Sequence, residues 1–461
     1  MLGSNKQPCK KLNNSRERSQ VKLVLRRRSV QWYKRVKLAR STLRKSPKRN
    51  CEMSDNENGE PTWLDTTYLT KILKKYTQNQ LGKIMSFTKI PATKKGENYA
   101  SCMYLITALY TTEPELAVIK EVQFIVKSRL ESELFAQIEE DFNVFVREAQ
   151  VYNVIMDLAE ELLRSVKDET CFGPRAIYID ERIIVLENLK LQGFSIENVK
   201  AGLDFECCRL ILEKLAKFHA VTMVLYKKNP DIFRHHLPSN ISEHPSPLHD
   251  VYTNTIQNCI EYCQTNPKLQ RYVPKLQAFG EKIIPKMINV FSRSQTDRYH
   301  VLNHGDVWVN NMMFRKDLSG NVVDVLFVDY QEGFYGSPGI DWNFFIFTSW
   351  QKEVFQNHFE ELLTIYHSML SALLHKLEHD ERIPTIEDVR KAIISKGYHG
   401  LTSATCLLPI LINEHAELSD PINFILNTDE ALANRRKIFD NPKYGERLEA
   451  FLEFFETNGI L

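Results

Sequence analysis

Short polar side chains interrupt an apolar stretch at residues 303–314, which read NHGDVWVNNMMF. Asp306 and Asn311 lie five positions apart, and Asp329 follows eighteen positions later, at the end of the apolar run VLFV. Phosphoryl transfer uses such a set, because one carboxylate handles the proton of the attacking hydroxyl while an amide oxygen and a second carboxylate bind Mg²⁺. Oxygen ligands suit Mg²⁺, and no His/Cys cluster here points to zinc. The spacing predicts a phosphoryl-transfer site, and the alternative is a side-chain-bonded turn followed by a strand-end cap.

A lysine that reaches the phosphates would complete this chemistry. Lys127 ends the segment QFIVK, whose alternation predicts a strand that carries the ammonium into a cleft, and Glu148 lies 21 positions further along, on a predicted helix. A strand lysine fixed by a glutamate from a neighbouring helix is the kinase arrangement. Taken alone, the pair is better explained as a surface salt bridge. The order of strand Lys, helix Glu, hinge, polar loop and strand-end Asp favours the kinase interpretation.

A turn that covers phosphates is the weakest of the motifs. The chain has no GxGxxG, and the candidate is KKGENYASCMYLI, in which Gly96, Asn98, Tyr99 and Ser101 precede or open a predicted strand. Small and turn-forming residues let backbone N–H groups approach phosphates. An ordinary hairpin turn explains the same residues equally well.

The spacing of apolar residues predicts the elements that position these side chains. In the first part of the chain it predicts a helix at 63–76, strands at 99–109 and 116–127, a helix at 133–164 and a hairpin at 176–187. The remainder is mostly helical, with helices at 204–225, 250–264, 275–292, 352–378, 385–396, 401–415 and 441–457 and strands only around the polar loop and VDVLFVDY. We therefore predict an α+β fold: a small N-terminal lobe at 56–188 with an antiparallel sheet and a helix, a hinge near 187–193, and a larger α-rich lobe at 189–461.

Composition and charge narrow the class of protein. The chain has 461 residues, of which 43% are apolar, and its nine cysteines form no CxxC pair. No apolar run approaches the ~20 residues that span a bilayer. We therefore expect a globular protein without a transmembrane segment, in a reducing and most simply cytoplasmic compartment.

The net charge of +2 conceals a basic tail and an acidic body. Residues 1–50 contain 17 Lys or Arg and one acid, Glu17, so the remaining 43 basic and 57 acidic residues give the body a charge of about −14. This distribution argues against nucleic acid as a general partner. We expect residues 1–55 to be a disordered basic extension. The alternative is an amphipathic helix that acts as an organelle presequence or lies on a membrane.

The order and wording of the motifs resemble the ecdysteroid-kinase-like proteins of insects. This family is a branch of the choline-kinase and aminoglycoside-phosphotransferase superfamily, which has a protein-kinase-like fold. The matching stretches are GENYAS, FIVK, FVREAQVYN, VLENLK, LAKFHA, HGDVWVNNMMF, VDYQ and SPGIDW, and they extend over about residues 60–450.

The resemblance implies a role for each candidate residue. Asp306 would be the catalytic base, and Asn311 and Asp329 would bind Mg²⁺. Lys127 would contact the ATP phosphates while Glu148 orients it. The GENYAS turn would cover the phosphates, and the hinge backbone at Glu187, Asn188 and Leu189 would meet the adenine. His304 would order the loop, and Asp341 of GIDW would brace it.

The resemblance also implies the substrate class. We expect ATP- and Mg²⁺-dependent phosphorylation of a small-molecule alcohol, with an ecdysteroid or another lipophilic alcohol as acceptor, in hormone inactivation or detoxification. The alternatives are a kinase of a charged molecule such as choline or an aminoglycoside, and a catalytically silent ATP-binding scaffold. No sequence pattern fixes the oligomeric state, and a monomer is the default expectation.

Overall fold

The computed structural model describes residues 63–92, 101–115, 117–129, 143–197, 200–239, 241–294 and 297–461. The predicted basic tail, the start of the 99–109 strand and residues 133–142 of the predicted helix lie outside these ranges. No helix in the described part of the chain is long and apolar enough to cross a membrane.

The N-terminal lobe is built on a five-stranded antiparallel sheet in the order β1-β2-β3-β5-β4. Its strands are β1 (Leu81–Pro91), β2 (Ser101–Thr112), β3 (Lys120–Arg129), β4 (Ala176–Ile179) and β5 (Ile183–Glu187). Helix α1 (Thr66–Tyr76) begins at Asp65, whose carboxylate accepts a hydrogen bond from the Tyr68 amide. Successive strand residues face opposite sides, so Phe124 and Val126 are buried in a cluster with α1 while Lys127 points the other way.

A long helical segment follows β3 in the chain and carries Glu148. It consists of α2 (Val144–Gln150), a π-helical turn (Val151–Ile155) and α3 (Met156–Arg164). Such π-turns inside helices occur frequently at functional sites. The segment connects to β4, and the β4–β5 hairpin then leads to a 3₁₀ turn at Leu189–Gln192, within the predicted hinge.

The C-terminal lobe is mainly helical. Its α-helices are α4 (Phe205–Lys228), α5 (Pro247–Thr265), α6 (Val273–Gly280), α7 (Ile283–Val290), α8 (Gly339–Ser349), α9 (Lys352–Lys376), α10 (Ile386–Ser395), α11 (Gly397–Thr402), α12 (Leu408–Leu411), α13 (Ile422–Ile425), α14 (Asp429–Phe439) and α15 (Pro442–Thr457). A π-turn at Ser403–Leu407 separates α11 from α12, and 3₁₀ turns lie at Pro230–His236, Gln270–Tyr272, Val309–Asn311 and Ala416–Leu418.

Two small sheets hold the polar loop within this lobe. Strands β6 (Phe194–Ser195), β8 (Met312–Lys316) and β9 (Val322–Phe327) form one, and β7 (Val301–Asn303) pairs with β10 (Phe334–Gly336) in the other. In the β8–β9 hairpin Met312 pairs with Phe327. Because this pairing fixes the register, Asn311 before β8 lies beside the residues that follow β9.

The predicted α+β class, with a small sheet lobe and a larger α-rich lobe, is confirmed. Several details differ from the predictions. The edge strand β1 and the helix α8 were not predicted, because β1 has little alternation and every residue of α8 is buried, which hides helical periodicity. The helix predicted at 275–292 is divided at Glu281–Lys282, just before Pro285, and the helix predicted at 401–415 begins at Gly397 and is divided by the π-turn.

Candidate active site

The loop after β7 has a shape that depends on Gly305. Its φ of +84° lies in the left-handed region, and a Cβ there would stand 2.1 Å from the carbonyl oxygen of Glu332. Only glycine therefore fits this close approach. The next residue, Asp306, starts the short path to the 3₁₀ turn that ends at Asn311.

His304 orders the loop from inside, as expected. Its Nε2 lies 3.0 Å from the Val328 carbonyl oxygen, so Nε2 carries the proton and donates, which leaves Nδ1 to accept from the Asp306 amide at 3.3 Å. Burial lowers the pKa of His304, although the charges of Asp341 and Asp329 oppose this change. The imidazole is therefore neutral, and its two hydrogen bonds hold the loop to the residue that follows β9.

Asp306 and Asn311 are in direct contact. The Asn311 side-chain amide donates to the Asp306 carboxylate at 2.7 Å and to its backbone carbonyl at 3.0 Å. Burial raises the pKa of Asp306 to about 8, with further increases from the charges of Asp329 and Glu332, while the Asn311 and Trp308 side chains oppose them by hydrogen bonding. A carboxylate with a pKa near the working pH is well suited to accept a proton.

Asp329 follows β9 in an uncommon backbone conformation. Its φ is +67°, which is rare for residues other than glycine but less so for Asp and Asn. The Tyr152 hydroxyl, from the π-turn after α2, accepts a hydrogen bond from the Asp329 amide at 3.2 Å. The Asn311 carbonyl also accepts from the Val328 amide at 3.0 Å, which ties the polar loop to this turn.

Lys127 joins the two lobes at this point. Its ammonium lies 2.7 Å from the carboxylates of both Glu148 and Asp329, and the Lys127 and Glu148 side chains are 4% and 2% exposed. Burial by itself would lower the pKa of Lys127, but the two carboxylates reverse the effect and raise it. Burial raises the pKa of Glu148 to about 7 even though the Lys127 charge acts against it. The surface-salt-bridge explanation of the pair is therefore wrong.

Asp341 braces the loop with two short hydrogen bonds to its backbone. One oxygen accepts from the His304 amide and the other from the Gly305 amide, both at 2.8 Å. The first oxygen also lies 3.0 Å from Nε2 of His219, whose Nδ1 lies 2.7 Å from the Tyr366 hydroxyl. All of these side chains are fully buried.

His219 and Tyr366 are the part of the site that sequence reasoning missed. His219 is buried on the apolar helix α4, where a histidine most simply belongs to the core. Its partners lie 122 and 147 positions away in the chain, so no local spacing connects them. The motif LAKFHA, which carries the resemblance, was the one signal available.

Comparison with known proteins places the chain in a family. The model of the ecdysteroid kinase-like family matches residues 95–379, which is more than half of the chain. The chain belongs to the ecdysteroid kinase-like family. The predicted family is thereby confirmed, and with it the predicted class of enzyme, a small-molecule phosphotransferase.

Other comparisons gave structural similarity without close relatives. No curated protein matches the sequence. Among solved structures, an ethanolamine kinase from Plasmodium vivax is similar at 12% identity and a TM-score of 0.35, over 78% of this chain and 83% of its own. A spectinomycin phosphotransferase in complex with ADP and spectinomycin is similar at 12% identity and a TM-score of 0.39, over 86% of this chain and 98% of its own.

The nucleotide side of the ecdysteroid kinase-like site is described in part. Gly96, Asn98 and Tyr99 lie outside the described residues, and Ser101 is the first residue of β2, opposite Arg129. At the hinge, Glu187 ends β5 opposite Phe124 of β3. The structure thus joins the hinge to the strand that carries Lys127, while the predicted phosphate-covering turn stays a prediction.

Side-chain contacts fix the conformation of the hinge. The Asn188 amide donates to the Gln123 side chain at 2.9 Å, and its oxygen accepts from the Lys190 backbone. Leu189 is buried in a small cluster with Phe194 and Leu326. These side chains hold the turn, and the predicted contact of its backbone with adenine stays a prediction.

The donor atoms fit the magnesium ion that the family implies. The Asn311 amide nitrogen is engaged with Asp306, which leaves its side-chain oxygen for a cation, and Asp329 uses one carboxylate oxygen for Lys127 and has a second. Mg²⁺ in such sites takes one or two protein ligands and completes its shell with phosphates and water. Among the described residues there is no group of three or more His, Cys, Asp or Glu side chains arranged to hold a metal.

Proposed function

We propose that this protein transfers the γ-phosphoryl group of ATP to a hydroxyl group of a lipophilic alcohol, with an ecdysteroid as the leading candidate. The observation that carries the proposal is the Lys127 ammonium, which lies 2.7 Å from both the Glu148 and the Asp329 carboxylates. A lysine held in this way is ready to bind phosphate oxygens beside a metal-binding aspartate. Asp329 in turn lies next to the loop with Asp306 and Asn311.

Each residue has one role in the proposed reaction. Lys127, oriented by Glu148, binds the phosphates of ATP, and Asn311 and Asp329 hold Mg²⁺. When bound, Mg²⁺ neutralises charge that develops on the phosphoryl oxygens. Asp306 accepts the proton of the acceptor hydroxyl as its oxygen forms the new P–O bond. The bond between the γ-phosphorus and the bridging oxygen breaks, so that ADP leaves.

The acceptor class is supported by family membership. The matched family is described as ecdysteroid kinase-like, which favours a polyhydroxylated steroid or a lipophile of similar size. A charged acceptor would need an acidic or aromatic cage for its cation. The carboxylate of Glu332 contributes to the electrostatics at Asp306, and this is the one observation that favours the alternative of a choline- or aminoglycoside-type kinase.

A mass-based screen tests both candidates. The purified chain would be incubated with ATP and Mg²⁺ and with ecdysteroids, sterols, plant alcohols, choline, ethanolamine and an aminoglycoside, followed by detection of products heavier by one phosphoryl group. The Asp306→Asn variant is the control for contaminating kinases. Phosphorylation of choline or an aminoglycoside but no lipophile would overturn the proposed acceptor. ATP binding without turnover of any member of a broad panel would favour the silent scaffold.

A further inference from the structure

Arg147 is a fully buried arginine directly beside Glu148 on α2. A guanidinium keeps its charge in proteins, and burying it is costly unless its N–H groups find acceptors. Here Nη2 donates to the Pro238 carbonyl at 3.1 Å, and Nη1 donates to the Gly333 carbonyl at 3.5 Å. The side chain therefore extends from the helix of the N-terminal lobe to two backbone segments of the C-terminal lobe.

Both of these segments lie next to the site. Gly333 is four residues after Asp329, in the same turn, and Pro238 follows the 3₁₀ turn at Pro230–His236. The two segments are in contact, since a Cβ on Gly333 would stand 3.1 Å from the His236 ring. Arg147 thus holds α2 against the turn that presents Asp329.

Two other residues of the same helical segment also connect it to the C-terminal lobe. The Gln150 side chain donates to the Ile232 carbonyl in the same 3₁₀ turn. The Tyr152 hydroxyl accepts from the Asp329 amide, and its ring packs edge-on against that of Tyr330 at 5.7 Å. Three side chains of the helical segment therefore connect it to one region of the C-terminal lobe.

We propose that Arg147 is a positioning residue, which holds α2 so that Glu148 keeps Lys127 aimed at the phosphates. This inference rests on the proposed function. The Lys127–Glu148 contact is 2.7 Å long, so a shift of α2 by about 1 Å takes it beyond hydrogen-bonding distance. A kinase needs this pair in place to bind and orient ATP. Arg147 makes the pair a fixed part of the fold.

The first test compares nucleotide binding by variants of the full chain. Arg147→Met keeps an unbranched apolar side chain, shorter than arginine, and loses its donors, and Arg147→Lys keeps the charge but cannot reach two carbonyls at once. Arg164→Met is the matched control, because Arg164 lies on α3 with its side chain 52% exposed and makes a surface ion pair with Glu160 at 3.7 Å. Dissociation constants for ATP with Mg²⁺ would be measured by calorimetry, beside unfolding midpoints.

We expect Arg147→Met to weaken ATP binding about tenfold or more, as for the loss of one strong hydrogen bond, and Arg164→Met to leave it unchanged. Arg147→Lys should fold and bind ATP more weakly than the wild type. Native affinity in either Arg147 variant would overturn the proposal. If Arg147→Met does not fold, Arg147→Lys decides the question.

A double-mutant cycle separates positioning from general stability. If Arg147 acts through Glu148, Arg147→Met adds no further loss of ATP affinity in a Glu148→Gln background. Additive losses would mean that Arg147 supports the fold without positioning Glu148.

Hydrogen exchange gives a readout that does not depend on ATP. Arg147→Met should raise exchange at residues 144–150 and 329–333 together, whereas Arg164→Met should raise neither. Unchanged protection in both segments would refute the connection. A wild-type chain that does not bind ATP would instead contradict the proposed function, while the exchange experiment still tests the role of Arg147.

Discussion

Replacing Asp306 by asparagine should make the protein more stable and nearly inactive. The pKa of this carboxyl rises from 3.8 to about 8, chiefly through burial and then through the charges of Asp329 and Glu332. A folded state that holds the proton more tightly than the unfolded state loses stability as pH rises between these two values. At pH 7 the difference corresponds to about 4 kcal/mol, an upper bound for a carboxyl that is only half-buried.

The expected net gain is smaller, because asparagine has one acceptor oxygen where aspartate has two. The Asn311 amide and the Trp308 indole both donate to Asp306, so one of them loses its partner at a cost of about 1 kcal/mol. We therefore expect Asp306→Asn to raise the free energy of unfolding by about 2 kcal/mol at pH 7. The gain should shrink towards zero between pH 5 and pH 4, because the carboxyl keeps its proton in the folded chain while its ionisation stabilises the unfolded chain less and less as pH approaches 3.8.

Urea unfolding at pH 5 and pH 7 measures this difference directly. EDTA should be present and nucleotide absent, because a bound cation would neutralise part of the Asp329 charge that raises the Asp306 pKa. Turnover with any accepted alcohol should fall by about 10²–10⁴-fold, the usual contribution of a positioned base.

Asp317→Asn is the matched control, since Asp317 is an exposed turn carboxylate whose pKa is lowered by hydrogen bonds from the Asn321 backbone. This control should lose a little stability and keep its activity. If the Asp306→Asn variant is no more stable than wild type at pH 7, or if its gain in stability does not change with pH, the surroundings do not raise the pKa of Asp306 as described. An unchanged turnover rate would remove Asp306 from the role of base.

Three further predictions concern the loop and the buried residues around it. Gly305→Ala should lower the free energy of unfolding by about 2 kcal/mol or more and abolish turnover, whereas Gly320→Ala, which has a similar φ of +87° but open space around it, should lower it by only about 1 kcal/mol. Equal unfolding free energies for the two variants would contradict the steric argument for Gly305. His219→Phe removes a hydrogen-bonding partner of both Asp341 and the buried Tyr366 hydroxyl, so it should lower the free energy of unfolding by about 2–4 kcal/mol and reduce turnover to match. Full turnover in the folded variant would show that the contact between His219 and Asp341 is dispensable. Burial lowers the pKa of His399 from 6.5 to about 4, so the unfolded chain takes up this proton first and the His399 contribution to stability should fall by about 2 kcal/mol from pH 7 to pH 5. The difference in unfolding free energy between wild type and His399→Phe should change by that amount in urea titrations at the two pH values, and an unchanged difference would contradict the prediction.

Sequence spacing predicted the chemical core of the site because its parts lie at the ends of regular elements. Lys127 ends an alternating strand, Asp329 follows another, and the offset between Asp306 and Asn311 fits one short loop. Hairpin registers then bring these positions together, and registers follow from local patterns. The same reasoning placed Glu148 on the helix that faces Lys127.

Sequence spacing could not predict the contacts that form only when distant segments of the chain pack together. His219 and Tyr366 meet Asp341 only after α4, α8 and α9 have packed, and nothing in an apolar helix distinguishes such a histidine from a purely structural one. Nothing in the local sequence distinguishes Arg147 from a charged residue on the surface of a helix. Its burial is decided by the segments at 230–238 and 329–333, which lie far away in the chain.

The way in which Asp341 binds the loop also bears on the proposed binding of phosphate. Two consecutive backbone amides, those of His304 and Gly305, point at one carboxylate and form a small anion-binding nest. In many nucleotide-binding proteins such a nest receives a phosphate, but here the protein fills it with its own anion. The amides of the loop therefore already have an anionic partner, and in the proposed reaction the negative charge of the nucleotide would be met by Lys127 instead.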